Sequence, residues 1–282
     1  MAESWTVLSI LEWTADYFRK QEIESGRLDA ELLLADLLDL DRVGLYLQFD
    51  RPLNKAEQTT YRELIKRRAA REPIAYILGK TEFWSLPLKV SPDVLVPRGD
   101  TEILVEEALA KMVGPCRILD IGLGSGAIAI ALAKENSEAT VRGIDISPEA
   151  VAIAVENARE NEVAGRTEFL VENLADFSGG PYDLIVSNPP YIPYGDLAGL
   201  MPEVRDFEPV GALDGGADGL DAYRAILQQA PGQLVDGGWL LVEIGINQVE
   251  DVTRLFTEAG FVDIQIRDDY GGIPRVVTGM KK

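Results

Sequence analysis

The chain has 282 residues, 46% of them hydrophobic and 26% charged, with one cysteine and no histidine. That length suits two domains with a sizeable core, while the missing histidines exclude a histidine-based metal site or catalytic triad and the lone Cys116 excludes an internal disulfide framework. The net charge of −20 is uneven: residues 1–80 carry 12 basic and 14 acidic side chains, a balance of −2, and residues 81–282 carry 15 and 33, a balance of −18. So acidic a body repels a phosphate backbone at long range, so no dedicated nucleic-acid partner is expected. No apolar stretch reaches the roughly 18 to 20 residues that span a bilayer. The opening "MAESWTVLSILEW" lacks the basic flank of a signal peptide. These features predict a cytoplasmic protein with no membrane partner and no metal.

Residues 1–78 predict a small helical domain. "SWTVLSILEWTADYFRKQ" sets Val7, Ile10, Leu11, Thr14 and Phe18 at helical spacing, and "LDAELLLADLLDL" repeats the pattern. A further helix starts after Pro52, with Asn54 as N-cap and Glu57 completing a capping box. It carries the cluster "KRRAAR", Lys66 to Arg71, which reads as a solvated helix face or a basic binding patch. From Pro73 the texture turns β-branched and aromatic, broken by Gly79, Pro87 and Pro92, and predicts a hairpin-like linker over 79–97. From 98 to 282 strand-like and helix-like segments alternate. "CRILDIG", "TVRGIDIS", "TEFLVEN", "YDLIVS" and "WLLVEIG" predict strands separated by helices, one of them capped by Ser147 with Pro148 at its first position. "VDIQIRD" and "PRVVTGM" close the chain as an antiparallel pair. Such alternation builds a mostly parallel sheet covered on both faces, with ligands at the carboxyl ends of its central strands.

Two loops in this sheet carry chemistry. "LDIGLGSGAIA" puts Gly122, Gly124 and Gly126 between a strand and a helix, where slim backbone and helix N–H groups admit a ligand. Asp120 precedes the loop, and Asp145 ends the next strand, where a carboxylate accepts from both hydroxyls of a ribose. Ala127 stands where the dinucleotide fingerprint has its third glycine, a position that tolerates alanine, so the loop by itself also fits a dinucleotide site. The second loop, "SNPPY", leaves a strand through two prolines that fix the backbone and remove donors. What remains is a set of acceptors, the Asn188 side-chain oxygen and the carbonyls of Asn188, Pro189 and Pro190, suited to a ligand that donates N–H bonds. The same residues also read as a stiff strand-to-loop turn with Tyr191 packed on it.

With "DIGLGSGAIA", "GIDIS" and "SNPPYI" in order, the chain resembles the class I methyltransferases that use S-adenosylmethionine, whose fold is a Rossmann-like, mostly parallel seven-stranded α/β sheet. More narrowly it resembles the protein glutamine methyltransferases that modify bacterial peptide-chain release factors. That likeness extends to "RLDAELLLADLL", "EPIAYILGKTEFWSLPLKVSPDVLVPR", "DFEPVGALDGGADGLDAYRAIL" and "DYGGIPRVV". It implies S-adenosylmethionine as methyl donor, with S-adenosylhomocysteine as product, at Gly122, Leu123, Gly124, Ser125, Gly126, Asp145, Leu174 and Asn188. It further implies release factors as partners in translation termination, with the glutamine of a Gly-Gly-Gln loop as acceptor, and residues 1–78 as the part that recognises them. Relatives often carry an aromatic ring near Leu174, a small polar residue for Leu123 and proline for Gly99.

The proline turn suits that chemistry. An amide nitrogen is a poor nucleophile, and an enzyme must hold both its hydrogens so that the lone pair faces the methyl. The Asn188 side-chain oxygen and the Pro189 carbonyl are the expected acceptors, and Tyr191 the flat surface. Asn188, Pro189 and Tyr191 are therefore the expected catalytic residues, with Pro190 beside them in the substrate site. The same logic serves the amino group of adenine, so a DNA or RNA adenine methyltransferase is the alternative enzyme, and a non-catalytic nucleotide-binding module the alternative class.

Overall fold

The computed structural model describes residues 5–282; expectations that touch residues 1–4 lie outside the described residues. The chain divides into two units, Met1–Gly79 with Pro202–Phe207, and Lys80–Met201 with Glu208–Lys282.

The first unit is helical: α1 (Val7–Lys20), α2 (Gly26–Leu38), α3 (Arg42–Leu47), α4 (Lys55–Ala69) and α5 (Ile74–Leu78). α4 starts as the sequence predicts, with the Asn54 side chain accepting from Glu57 N–H and the Glu57 carboxylate accepting from Asn54 N–H. Val7, Leu11, Phe18, Leu33, Leu34 and Tyr61 form its core, and Tyr61 donates its hydroxyl to the Ala30 carbonyl at 2.9 Å. The basic cluster is divided: Lys66 and Arg67 lie on an exposed face, whereas Arg68 turns inward. Arg68 is 5% exposed and pairs with Asp29 at 2.7 Å and Glu203 at 3.0 Å. Arg71 also holds Glu203, at 2.9 Å, and Arg67 and Lys66 pair with Glu72 and Glu63. Within the helical part expected over 1–78, the β-branched texture from Pro73 first forms a helix, Ile74–Leu78, set between Pro73 and a left-handed Gly79. Five apolar residues fit a buried helical turn as well as a strand, and the flanking proline and glycine decide it.

The second unit opens with a hairpin, β1 (Lys80–Phe83) and β2 (Leu86–Lys89). Trp84 and Ser85 both have positive φ, as a two-residue turn matched to strand twist requires. Then come α6 (Glu102–Lys111), β3 (Arg117–Ile121), α7 (Ala127–Glu135), β4 (Thr140–Asp145), α8 (Pro148–Glu160), β5 (Thr167–Val171) and β6 (Tyr182–Ser187). They are followed by α9 (Pro202–Arg205), which clusters with the first unit, α10 (Asp221–Gln233), β7 (Leu234–Glu243), α11 (Val249–Glu258), β8 (Val262–Asp268) and β9 (Pro274–Met280). The seven strands form one sheet in the order β5-β4-β3-β6-β7-β9-β8. β9 runs antiparallel to both neighbours and the other pairs are parallel.

Strand residues alternate between two cores. Ile118, Leu184, Val186 and Leu241 face α6, α7 and α8. Leu119, Ile121, Ile185, Leu240 and Val242 face α10 and α11. Helices on both faces explain why the central strands read as unbroken apolar runs. The strand order reverses between β3 and β6, so their carboxyl ends open a crevice at the switch point, where open α/β sheets bind ligands.

Candidate active site

That crevice is a cavity of about 520 Å³, within the range of small-molecule sites. Its floor is the loop after β3. Gly122 and Gly124 have φ of +75° and +54°, and a side chain on either would enter open space. Backbone there can meet a ligand directly. The Gly124 N–H donates to Asp145 Oδ2 at 2.9 Å and the Ser147 N–H to Asp145 Oδ1 at 2.9 Å, which points the carboxylate along the cavity wall at the end of β4. Its second lone pairs remain for the hydroxyls of a ribose. The Ser147 hydroxyl caps α8 by accepting from Ala150 N–H, with Pro148 in the first turn.

Of the residues expected at the donor site, Gly122, Leu123, Gly124, Ser125, Asp145, Leu174 and Asn188 line the cavity. Gly126 does not. At φ +82° it lies under α8, and a Cβ there would sit 3.0 Å from the Ala154 Cβ and the Ile130 Cδ1, so this glycine packs helix against loop. Leu123 turns its side chain over Gly143 of β4, whose Cβ would meet the Leu123 Cδ1 at 2.5 Å. Ile146, directly after Asp145, is 69% exposed and faces the cavity with Leu174.

On the opposite wall the "SNPPY" turn leaves β6. The Ser187 hydroxyl donates to the Ile121 carbonyl at 2.7 Å, tying this exit to that of β3. Asn188 Nδ2 donates to Thr101 Oγ1 at 3.1 Å. Asn188, Pro189 and Pro190 line the cavity, whereas Tyr191 does not. Tyr191 packs on the core beneath α10 and α11, and Gln248 Nε2 donates to its carbonyl at 2.9 Å. Burial pushes its phenol up to about 12, and the nearby Glu243 charge adds to this. Two glycines of "DGGADG" let other backbone close on the turn: a Cβ on Gly219 would lie 2.4 Å from the Tyr191 carbonyl oxygen and one on Gly215 2.9 Å from that of Pro190.

Several polar groups of the site are not visible as motifs. Arg98 lines the cavity and pairs with the buried Glu208 at 2.5 Å. Asn157 of α8 donates to the Ser125 carbonyl at 2.9 Å and bonds both backbone groups of Lys89. Asp120 accepts from Ala129 N–H at the start of α7, while its other oxygen has no partner. Burial, with a smaller contribution from the Asp145 charge, pushes this carboxyl up to about 8. Glu243, at the end of β7, is 2% exposed with one oxygen unpartnered. Asp120 is legible as the acid before the glycine loop; Glu243 and Asn157 carry no local signal. Among the described residues no group of acidic or cysteine side chains could hold a metal ion.

The sequence matches two family descriptions, a PrmC N-terminal domain over residues 9–79 and a methyltransferase small domain over 99–197. It is 51% identical over 280 residues to a release factor glutamine methyltransferase of Geobacter sulfurreducens, covering 98% of this chain and 97% of the relative. The chain belongs to the release factor glutamine methyltransferase family. A second member, from Fusobacterium nucleatum, is 41% identical over 97% of this chain and 78% of its own length. Beyond the family, a methyltransferase structure from Pyrococcus furiosus superposes with a TM-score of 0.54 at 17% identity, over 79% of this chain and 98% of that one, a likeness of fold alone. Family membership removes the dinucleotide reading of the glycine loop.

Proposed function

We infer that this protein transfers a methyl group from S-adenosylmethionine to the side-chain amide nitrogen of the glutamine in the Gly-Gly-Gln loop of a peptide-chain release factor. Family membership carries the substrate class. The observation that carries the chemistry is Asn188 at the cavity wall, whose Nδ2 donates to Thr101 and whose Oδ1 is the acceptor it can offer to an incoming N–H.

The cavity residues fit the donor molecule. Gly122 and Gly124 bring backbone to it without side-chain obstruction, the Asp145 carboxylate accepts the ribose hydroxyls, and the apolar faces of Ile146 and Leu174 bracket a flat base. When bound, S-adenosylmethionine supplies a methyl group on a sulfonium. The chain's own contribution lies opposite. Asn188 Oδ1 and the Pro189 carbonyl accept the two N–H bonds of the glutamine amide, which orients its lone pair and stabilises the positive charge that grows on nitrogen. Proline at 189 and 190 keeps competing donors out of the turn. The methylated nitrogen then loses a proton, made strongly acidic by that charge, to water, and no histidine is needed. Tyr191, outside the cavity lining, supports the turn from beneath. Residues 1–78 grip a second surface of the release factor, which the exposed Val43, Tyr46, Leu47 and Phe49 support.

Incubation with methyl-labelled donor and purified release factor tests this reading. Label is expected on the loop glutamine, and Asn188→Ala is expected to lower kcat at least tenfold, about 1.4 kcal/mol or more of transition-state stabilisation, in a folded protein. Label on adenine oligonucleotides at a comparable rate would replace the substrate assignment.

A further inference from the structure

Asn188 works only if its amide presents oxygen, and not NH₂, to the substrate. The two ends of an asparagine amide are nearly equal in size, so hydrogen-bond partners alone decide which way it faces. The partner of its NH₂ is the Thr101 hydroxyl, 4% exposed at the start of α6. A hydroxyl is a rotor that can accept from Nδ2 or donate to Oδ1, so Thr101 by itself does not fix the amide. β6 pairs with β7 with Ser187 opposite Val242, so Glu243 ends its strand beside Asn188 and the Thr101 that Asn188 holds. Its carboxyl is buried at the end of β7, its backbone is pinned by pairing with Val276 of β9, and its carbonyl accepts from the Tyr223 hydroxyl at 2.9 Å. Thr101 and Asn188 are the side chains whose hydrogen bonding favours its charged form.

We propose that Glu243 and Thr101 are positioning residues for the methyl transfer: the Glu243 carboxylate draws the Thr101 O–H toward itself, leaving the Thr101 lone pair to hold the Asn188 NH₂ and turn Asn188 Oδ1 into the cavity. A carboxylate can only accept, which gives the three-residue chain one polarity. The inference rests on the reading of Asn188 as the amide acceptor. It also explains why a carboxyl is kept at this buried place although one of its oxygens has no partner.

The charged and titratable groups around Glu243 are Arg275 of β9, Asp100 of the turn before α6, Tyr191 after β6 and Tyr223 of α10. Burial dominates and pushes the carboxyl up to about 7; the Asp100 charge adds to this, while Thr101, Arg275 and Asn188 oppose it. Below that pH the protonated carboxyl can donate, and the polarity of the chain is lost. Wild-type kcat for the chemical step, measured by single turnover with saturating donor and release factor, is therefore expected to fall on acidification through a limb near pH 7.

The test uses Glu243→Gln, Thr101→Val, Thr101→Ser and Asn188→Ala in the full chain, with donor affinity as the check of folding. Glu243→Gln, whose side-chain NH₂ can donate to Thr101, is expected to lower kcat at least tenfold at pH 8.5, with donor Kd within twofold, and to abolish the limb near pH 7. Thr101→Val is expected to match that loss, and Thr101→Ser, which restores a hydroxyl, to recover most of it. If Asn188→Ala loses activity while both Glu243→Gln and Thr101→Val stay within threefold of wild type, the positioning role is refuted and the acceptor role of Asn188 stands. A limb near pH 7 that persists in Glu243→Gln refutes it equally. An active Asn188→Ala overturns both readings.

Discussion

At the scale of single residues, carboxyls buried behind the cavity lining are only partly satisfied. Asp120 and Glu243 each have an oxygen without a partner, and burial pushes them up to about 8 and about 7; burial raises Glu208 as well. With no histidine in the chain, no side chain of ordinary acidity titrates between pH 5 and 8. Stability in that window thus reports these buried groups. The unfolded chain ionises them near pH 4 while the folded chain keeps its protons, so the folded state binds more protons and stability falls as pH rises toward 8, levelling off above it. The melting temperature of the ligand-free protein is expected to drop by about 2 °C or more from pH 5.5 to 8.5, equivalent to about 1 kcal/mol or more for a chain of this size. Asp120→Asn, neutral at every pH, should flatten that slope. A slope unchanged in the variant would remove Asp120 from the account.

At the scale of elements, the loop between β3 and α7 contains glycines kept for different reasons. Gly122 leaves room for a ligand, and a methyl group there meets nothing within 4 Å. Gly126 leaves room for α8, since its Cβ would press on Ala154 and Ile130 at 3.0 Å while its φ is +82°. Both substitutions by alanine carry left-handed strain of about 1 kcal/mol or more, but only the second adds a clash within the core. Gly126→Ala is expected to cost about 2 to 3 kcal/mol of stability. Gly122→Ala is expected to cost less stability and to weaken donor binding at least tenfold. Thermal melts and calorimetric titration of the two variants separate the roles; the reverse ranking in either measurement would contradict this division of labour.

At the scale of the whole molecule, the first unit is closed by a buried ionic cluster drawn from distant parts of the sequence. Arg68 joins Asp29 to Glu203, and Glu203 comes from a six-residue segment whose flanks, Met201 and Glu208, belong to the second unit. Truncating Arg68 strands two nearly buried carboxylates, with Arg71 left to hold only one of them. Arg68→Met is expected to destabilise the protein by about 3 to 5 kcal/mol, seen as an early melting transition. A loss under about 1 kcal/mol would mean that the cluster contributes no more than an exposed pair.

The sequence by itself determined whatever is local. The capping box at Asn54 and Glu57, the Ser147 cap with Pro148, the order of strands and helices, the glycine loop and the proline turn each depend on neighbours within a few positions, and the structure keeps all of them. The helix Ile74–Leu78 was not legible, because five apolar residues are too few to show a period. Only the tertiary structure decided which groups meet. Strand order 5-4-3-6-7-9-8 set the exits of β3 and β6 side by side and so joined residues 122–125 to residues 188–190 in one cavity. It also moved Gly126 and Tyr191 out of the lining and brought Thr101 and Glu243 to Asn188 from far along the chain. A buried carboxyl at a strand end looks like any other glutamate in sequence, since the desolvation that changes its acidity and the partner that uses its charge exist only after the sheet has formed.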